Sequence, residues 1–212
     1  MAELQLITNE ATDVQGRAGS AAAALRKTFE AGTTKPLKWR LEQLDALEHL
    51  LREREADIVE ALRQDLRKPV NESYGAEIGM NLTEIAYTKK RLAGWMKPER
   101  VPTALIAQPG RSVIVREPLG VVMIIAPWNY PFQLCVLPLI GALAAGNCAL
   151  VKPSEVSTAT SALVAEWLPK YLDRSAVQVM EGGVPETTAL LREKWDHIFY
   201  TGNGTVARIV ME

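Results

Sequence analysis

From Gly120 onward the chain alternates short apolar runs with helical patterns four times, and this alternation restricts the fold more than any other feature of its 212 residues. Val121–Ile125 is apolar at every position and leads into a helical pattern over 132–145 that Gly146 stops. Ala149–Val151 then precedes a helix over Thr158–Tyr171, Val177–Met180 precedes one over Pro185–Lys194, and His197–Tyr200 precedes one that opens near Thr205. Strands with no polar face need cover on both sides, and parallel neighbours need crossovers long enough to hold a helix. The expectation is an α/β fold with a parallel, Rossmann-like sheet and flanking helices. Such sheets take ligands beyond the carboxyl ends of their strands, which brings four segments together: Ala126–Pro131, Lys152–Glu155, Gly182–Pro185 and Thr201–Gly204.

Ahead of the sheet the texture is helical. An alanine-rich stretch predicts a short helix over 18–31. Leu37, Leu41, Leu44, Leu47 and Leu51 then recur at helical spacing in a segment running from Pro36 to about Leu66, with room for a break. Lys68-Pro69 stops it, and a further helix is expected from Tyr74 to Trp95. Thr103–Ala107 and Ser112–Arg116 read as extended, with Gln108-Pro109-Gly110 turning between them, so this part is expected to form a hairpin arm whose open edges need a partner. The organisation expected is a helical region over 1–100, the arm over 101–119 and an incomplete Rossmann-like region over 120–212. The last helical pattern stops in its second turn, and the expectation is that the sequence is the N-terminal part of a longer protein.

With 24 basic against 25 acidic residues the net charge is -1, which gives no electrostatic reason to expect nucleic acid or an anionic membrane as partner. No apolar run is long enough to span a bilayer, and MAELQLITNEATD fits neither a secretory signal nor a transit peptide, so the expected compartment is cytoplasmic. Cys135, Cys148, His49 and His197 show no metal-ligand spacing. Both cysteines read as small buried hydrophobes and His49 as a surface residue.

Three segments carry candidate chemistry. In "APWNYPF" two prolines and two large aromatics surround a single amide, Asn129, at the mouth of a buried strand. In "TGNG" two glycines allow close backbone approach just where a helix starts, which suits a phosphate; a plain turn with an N-cap reads equally well. In "KPSE" a lysine and a carboxylate stand three residues apart around a rigid turn. They could hold ribose hydroxyls, or form a surface ion pair beside a helix cap at Ser154 or Ser157.

Taken in order, "EPLGVVMIIAPWNYPF", "GNCALVKPSE", "GGVPETTALL" and "HIFYTGN" resemble the aldehyde dehydrogenase superfamily, with its class-3-like, fatty-aldehyde branch nearest, from about residue 20 to Glu212. The resemblance implies NAD(P)-dependent oxidation of an aldehyde to a carboxylate through a cysteine thiohemiacetal and thioester. It makes Asn129 the oxyanion donor and places Ile125, Pro127 and Trp128 along the dinucleotide cleft. Lys152 and Glu155 would hold the adenosine ribose, and Gly202, Asn203 and Gly204 would approach the pyrophosphate. Glu155 would disfavour a 2′-phosphate, so NAD is expected, with NADP accepted in this branch as well. The arm implies a homodimer, and the substrate class a medium- or long-chain or aromatic aldehyde; membrane association stays open. Ala207 stands where the family commonly has glycine. Neither cysteine matches the nucleophile's context and the general-base glutamate has no counterpart, so these residues alone are not expected to turn over aldehyde. Two other readings are a non-catalytic nucleotide-binding or dimerisation protein of the same fold, and a reductase of acyl phosphates or acyl-CoA.

Overall fold

The computed structural model describes residues 2–212, with side chains from Thr12 onward. Helix α1 spans Ala2–Glu30, α2 Leu37–Glu53 and α3 Glu55–Leu66. A short α4, Val70–Glu72, passes through a π-helical turn, Ser73–Gly79, into α5, Met80–Trp95. The leucine spacing of α2 does what its period implies: Leu44, Leu47 and Leu51 are fully buried. The break in the long pattern falls at Arg54 (φ -104°, ψ 18°), and Arg67 ends α3 in the left-handed region at φ 59°.

Two helices exceed their sequence-based limits. The alanine-rich stretch is the second half of α1 rather than a short helix of its own. Tertiary contacts sustain the helix before residue 18: the Gln15 amide donates to Glu193 at 2.6 Å and to the Ala189 carbonyl at 3.4 Å. The run expected from Tyr74 begins instead at Val70. Pro69 supplies the extended residue before the first turn (φ -71°). Ser73, Glu77 and Asn81, polar residues that periodicity alone would put in solvent, are all fully buried.

The arm also differs from expectation. Its strands are β1, Glu99–Val101, and β2, Ser112–Ile114, paired antiparallel with Glu99 opposite Ile114 and Val101 opposite Ser112. Thr103–Ala107 is therefore not a strand, and Leu105–Ala107 forms a 3-10 turn. Pro102 has no N–H to donate, and the Thr103 hydroxyl, not its backbone, accepts from the Ser112 N–H at 2.8 Å. The ladder therefore sits nearer the base of the arm.

The remaining elements are β3 (Val121–Ile125), α6 (Gln133–Ala145), β4 (Cys148–Lys152), α7 (Thr158–Tyr171), β5 (Val177–Val179), α8 (Val184–Leu191), β6 (His197–Tyr200) and α9 (Gly204–Met211). The four strands form one parallel sheet in the order β5-β4-β3-β6. Every residue of β3 and β4 is buried. Alternate residues of β3 serve opposite faces, as the pleat requires: Val122 and Ile124 join the core under α2, α5, α6 and α7, while Val121, Met123 and Ile125 join a second core under α1 and α8. The doubly covered sheet is thus the expected one, with α8 ending three residues before its pattern does. Among the described residues no helix is long and apolar enough to cross a membrane.

Two polar devices lock these layers. Gly146 ends α6 at φ 84°, with Arg40 packed against the place a Cβ would occupy. Arg40 is 7% exposed and donates to the carbonyls of Thr34 (3.3 Å) and Ala144 (3.0 Å), and the Thr34 hydroxyl donates to the Gly146 carbonyl at 2.6 Å. On the other face Arg26 of α1 pairs with Asp196, which also accepts the Val121 N–H at 2.7 Å. Partial burial works to raise the Asp196 carboxyl, but the Val121 N–H and then Arg26 hold it below the ordinary aspartate value. A carboxylate depressed on folding adds stability that is present above the unfolded value of about 3.9 and lost as pH falls through the folded one. Asp196→Asn is therefore expected to lower the urea midpoint at pH 7, and that effect to shrink progressively as pH falls below about 3.9 toward the depressed folded value, checked by paired denaturation curves at several pH values.

Candidate functional site

The carboxyl ends of the strands stay in register one residue beyond each ladder. The Ala126 N–H donates to the Lys152 carbonyl at 3.1 Å, Met180 to Val151 at 3.0 Å and Thr201 to Ile125 at 3.1 Å. Ile125 thus lies between Lys152 and Tyr200 across the sheet. From β3 the chain lays down β4 and then β5 on one side, and returns to place β6 on the other. Loops on either side of such a reversal diverge, and a crevice opens between them. Here that crevice separates residues 126–131 from residues 201–204.

Lys152 is 2% exposed, with its ammonium bonded to the Pro153 carbonyl at 2.8 Å and to Glu155 at 3.1 Å. A lysine held this way is a fixed donor rather than half of a solvated surface pair. The Glu155 side chain, by contrast, is half exposed. Partial burial works to raise its carboxyl, yet its own backbone N–H and then Lys152 hold it below the ordinary glutamate value. It therefore presents a negative charge beside Gly183, whose missing Cβ would stand 3.9 Å from the Glu155 Cγ.

Each of the four helices that start at this edge of the sheet is capped by a side chain. For α6 it is Glu77, which accepts the N–H groups of Phe132 (3.1 Å) and Gln133 (2.9 Å). For α7 it is Asp65, which accepts from Ala159 (2.9 Å) and Thr160 (2.8 Å); Ser157 stands at the N-cap position, but neither its hydroxyl nor that of Ser154 accepts a helix N–H. For α8 it is Glu186, which accepts the Gly183 N–H at 2.8 Å. Only α9 has a neutral cap, Asn203, whose Oδ1 accepts the Val206 N–H at 2.9 Å. An anion brought to the first three helix starts meets a carboxylate; at α9 it meets the dipole and the first free N–H groups unopposed.

The approach to α9 is shaped by glycine. A Cβ on Gly202 would collide with the Tyr200 phenol, whose hydroxyl donates to the Asn203 carbonyl at 3.2 Å, whereas Gly204 has open space where its side chain would be. Ala207 fits the helix, its N–H bonded to the Asn203 carbonyl at 3.1 Å.

On the other bank of the crevice Ile125 is 8% exposed, Pro127 is half-buried, and Trp128, Asn129 and Tyr130 are exposed. The Asn129 side-chain amide makes no hydrogen bond among the described residues. Trp128, 53% exposed, does little to hold the loop. Lysine 68 holds it instead: its ammonium donates to the Asn129 carbonyl at 3.0 Å and lies 3.9 Å from the Tyr130 ring centroid. Sequence reasoning missed Lys68, Glu77 and Asp65. Lys68-Pro69 reads only as a helix stop, and a charged residue bonded across more than 50 positions leaves no periodic trace.

Both thiols are fully buried, as expected. Desolvation, and after it the nearby Glu77 carboxylate, pushes Cys135 up to about 12; desolvation, and after it Asp173, pushes Cys148 to about 12. Neither can act as a thiolate near neutrality.

The fold is that of doubly wound α/β proteins whose ligand crevice lies at the point where strand order reverses. The chain belongs to the aldehyde dehydrogenase family, whose sequence profile matches residues 4–212. An aldehyde dehydrogenase of Craterostigma plantagineum is 50% identical over 88% of this chain and 39% of its own length. Aldehyde dehydrogenase family 3 member I1, chloroplastic, of Arabidopsis thaliana is 46% identical over 97% of this chain and 38% of its own length. The chain thus spans about two-fifths of the length of these curated relatives. Among solved structures, substrate-bound AldH of Staphylococcus aureus superposes with a TM-score of 0.89 at 40% identity, covering 91% of this chain and 42% of that one. Indole-3-acetaldehyde dehydrogenase AldA of P. syringae, solved as a C302A mutant with NAD+ and IAA, superposes at 0.81 with 24% identity over 93% of this chain and 40% of that one, a likeness of fold alone.

Proposed function

We propose that this chain is the cofactor-binding portion of an NAD(P)-dependent aldehyde dehydrogenase and supplies the amide that holds the oxyanion. The observation that carries this reading is the neutral cap of α9 at the crevice, where the other three helices starting at this edge of the sheet, α6, α7 and α8, are closed by carboxylates. A pyrophosphate lying against Gly202, Asn203 and Gly204 meets the N–H groups of Gly204 and Thr205, which have no acceptor within the helix. Lys152 donates to a ribose hydroxyl and Glu155 accepts from one. Ile125, Pro127 and Trp128 form the apolar bank that receives the nicotinamide half.

A nicotinamide held there would supply the acceptor for the aldehyde's hydride. This chain contributes a place for the charge that collects on the carbonyl oxygen when a thiolate attacks it. Asn129 is suited to that part because its N–H donors are exposed and uncommitted, on a loop whose backbone is held from below. Cys135 and Cys148 are too deeply buried to provide the thiolate, so the nucleophile comes from residues outside this chain. The exposed Leu105, Ile106, Val113 and Ile114 of the arm support its use as a surface through which two copies pair.

Titration with NADH and NADPH, followed by nicotinamide fluorescence, tests the reading. Glu155 repels a 2′-phosphate, so NADH is expected to bind tighter by about tenfold, equivalent to about 1.4 kcal/mol. Glu155→Gln is expected to bring the two affinities within about threefold of each other. Failure of the chain to bind either dinucleotide would overturn the assignment. Aldehyde-dependent NADH formation by the chain alone would show that one of its own thiols reacts, contrary to their burial.

A further inference from the structure

The most deeply buried charge in this region takes no part in the chemistry proposed above. Glu77 is fully buried on the π-helical turn between α4 and α5. One carboxylate oxygen accepts the N–H groups of Phe132 and Gln133, and the other pairs with the Lys68 ammonium. Lys68 is 8% exposed and reaches the Asn129 carbonyl and the Tyr130 ring as well. The pair therefore holds the exposed loop at two places, its amide-bearing residue and its entry into α6.

Both partners are themselves fixed. Lys68 stands between Arg67, in the left-handed conformation that ends α3, and Pro69. The Glu77 carbonyl accepts from the buried Asn81 amide at 2.7 Å. π-Helical turns are rare and favour functional positions; here the turn carries Glu77 under the loop. A buried ion pair is weak support for stability, because well-packed apolar residues often serve as well. What this arrangement supplies, and apolar packing would not, is a directional grip on particular backbone groups of the loop.

We propose that Lys68 and Glu77 are positioning residues for Asn129: the buried pair clamps residues 129–133 and so fixes the direction in which the amide is presented. This rests on the reading of Asn129 as the oxyanion donor, and it assigns a function to a charge pair that touches neither substrate nor cofactor.

The test uses the 212-residue chain. Removing one partner strands the other as a buried unpaired charge, so Lys68→Met and Glu77→Gln alone are compared with the double variant K68M/E77Q, which removes both charges. The double variant is expected to unfold cooperatively and still to bind NADH, because Lys152, Glu155 and residues 202–204 lie outside the clamped segment 129–133. Amide exchange at Phe132 and Gln133 is expected to rise at least about tenfold, a local opening without global unfolding. The Asn129 backbone amide is expected to lose order in the ¹⁵N relaxation spectrum, and Lys68→Arg, which restores a buried cation and donor, to recover part of that order. Unchanged exchange at Phe132 and Gln133, with unchanged Asn129 dynamics in the double variant, would overturn the proposal. Loss of NADH binding by the parent chain would instead overturn the functional reading and leave the clamp to be judged on the exchange data.

Discussion

Asn129→Ala is expected to lower aldehyde turnover about 10²–10³-fold, equivalent to about 2.7–4 kcal/mol of transition-state stabilisation. The assay needs a chain that carries these residues together with a reactive cysteine, for instance a chimera with a family 3 relative. Because the Asn129 side chain makes no hydrogen bond among the described residues, its removal should leave the melting temperature and NADH affinity unchanged. The carbonyl oxygen of the aldehyde carries little charge before attack, so KM should move far less than kcat. A loss under about tenfold in kcat, with the fold intact, would remove Asn129 from the chemistry. A loss confined to KM would make it a binding group.

Gly146→Val is expected to be the most destabilising single change among those considered, by about 3–5 kcal/mol. The position has φ 84°, where a β-branched residue is strained by about 1–2 kcal/mol. The larger part comes from Arg40. An added Cβ would lie 2.6 Å from its Nη2 and 2.7 Å from its Cζ, displacing a buried guanidinium from the carbonyls of Thr34 and Ala144. For a chain of this size the shift in melting temperature is about 7–11 °C. Gly141, also in α6, has nothing within 4 Å of its missing Cβ. Gly141→Ala is therefore expected to be neutral or to stabilise by about 0.5–1 kcal/mol. Calorimetry on both variants separates a general sensitivity of α6 from the specific steric demand at Gly146.

The elements legible in the sequence are those whose own residues determine them. Val121–Ile125 and His197–Tyr200 lie where their apolar runs put them, and Thr158–Tyr171 is a helix over that same range. Strand order is a different matter. Nothing in the composition of β6 tells it to pair with β3 instead of β5, yet that pairing is what opens the crevice. Lys152 and Glu155 could be named as candidates, but that the lysine is buried and the glutamate half exposed depends on neighbours far along the chain. Thr103–Ala107 failed as a strand because a threonine hydroxyl took the place of a ladder bond. Lys68 and Glu77 stayed hidden because their partners are loop backbone atoms, and residue types carry no record of such contacts.

The face of the sheet that holds Val121, Met123 and Ile125 is covered by α1 and α8, one from each end of the chain, joined by the Gln15 amide and the Ala189 carbonyl across 174 residues. At ribosomal speeds of about 5–20 residues per second, that interval corresponds to roughly 10–35 s of synthesis. Throughout it α1 has emerged and its partner helix has not. The opposite face has α2, α5 and α6 at hand as soon as β3 and β4 exist. The two halves of the core therefore mature on different clocks, and the nascent chain carries a half-covered apolar sheet from the completion of β4 at Lys152 until α8 ends at Leu191, roughly 2–8 s of synthesis.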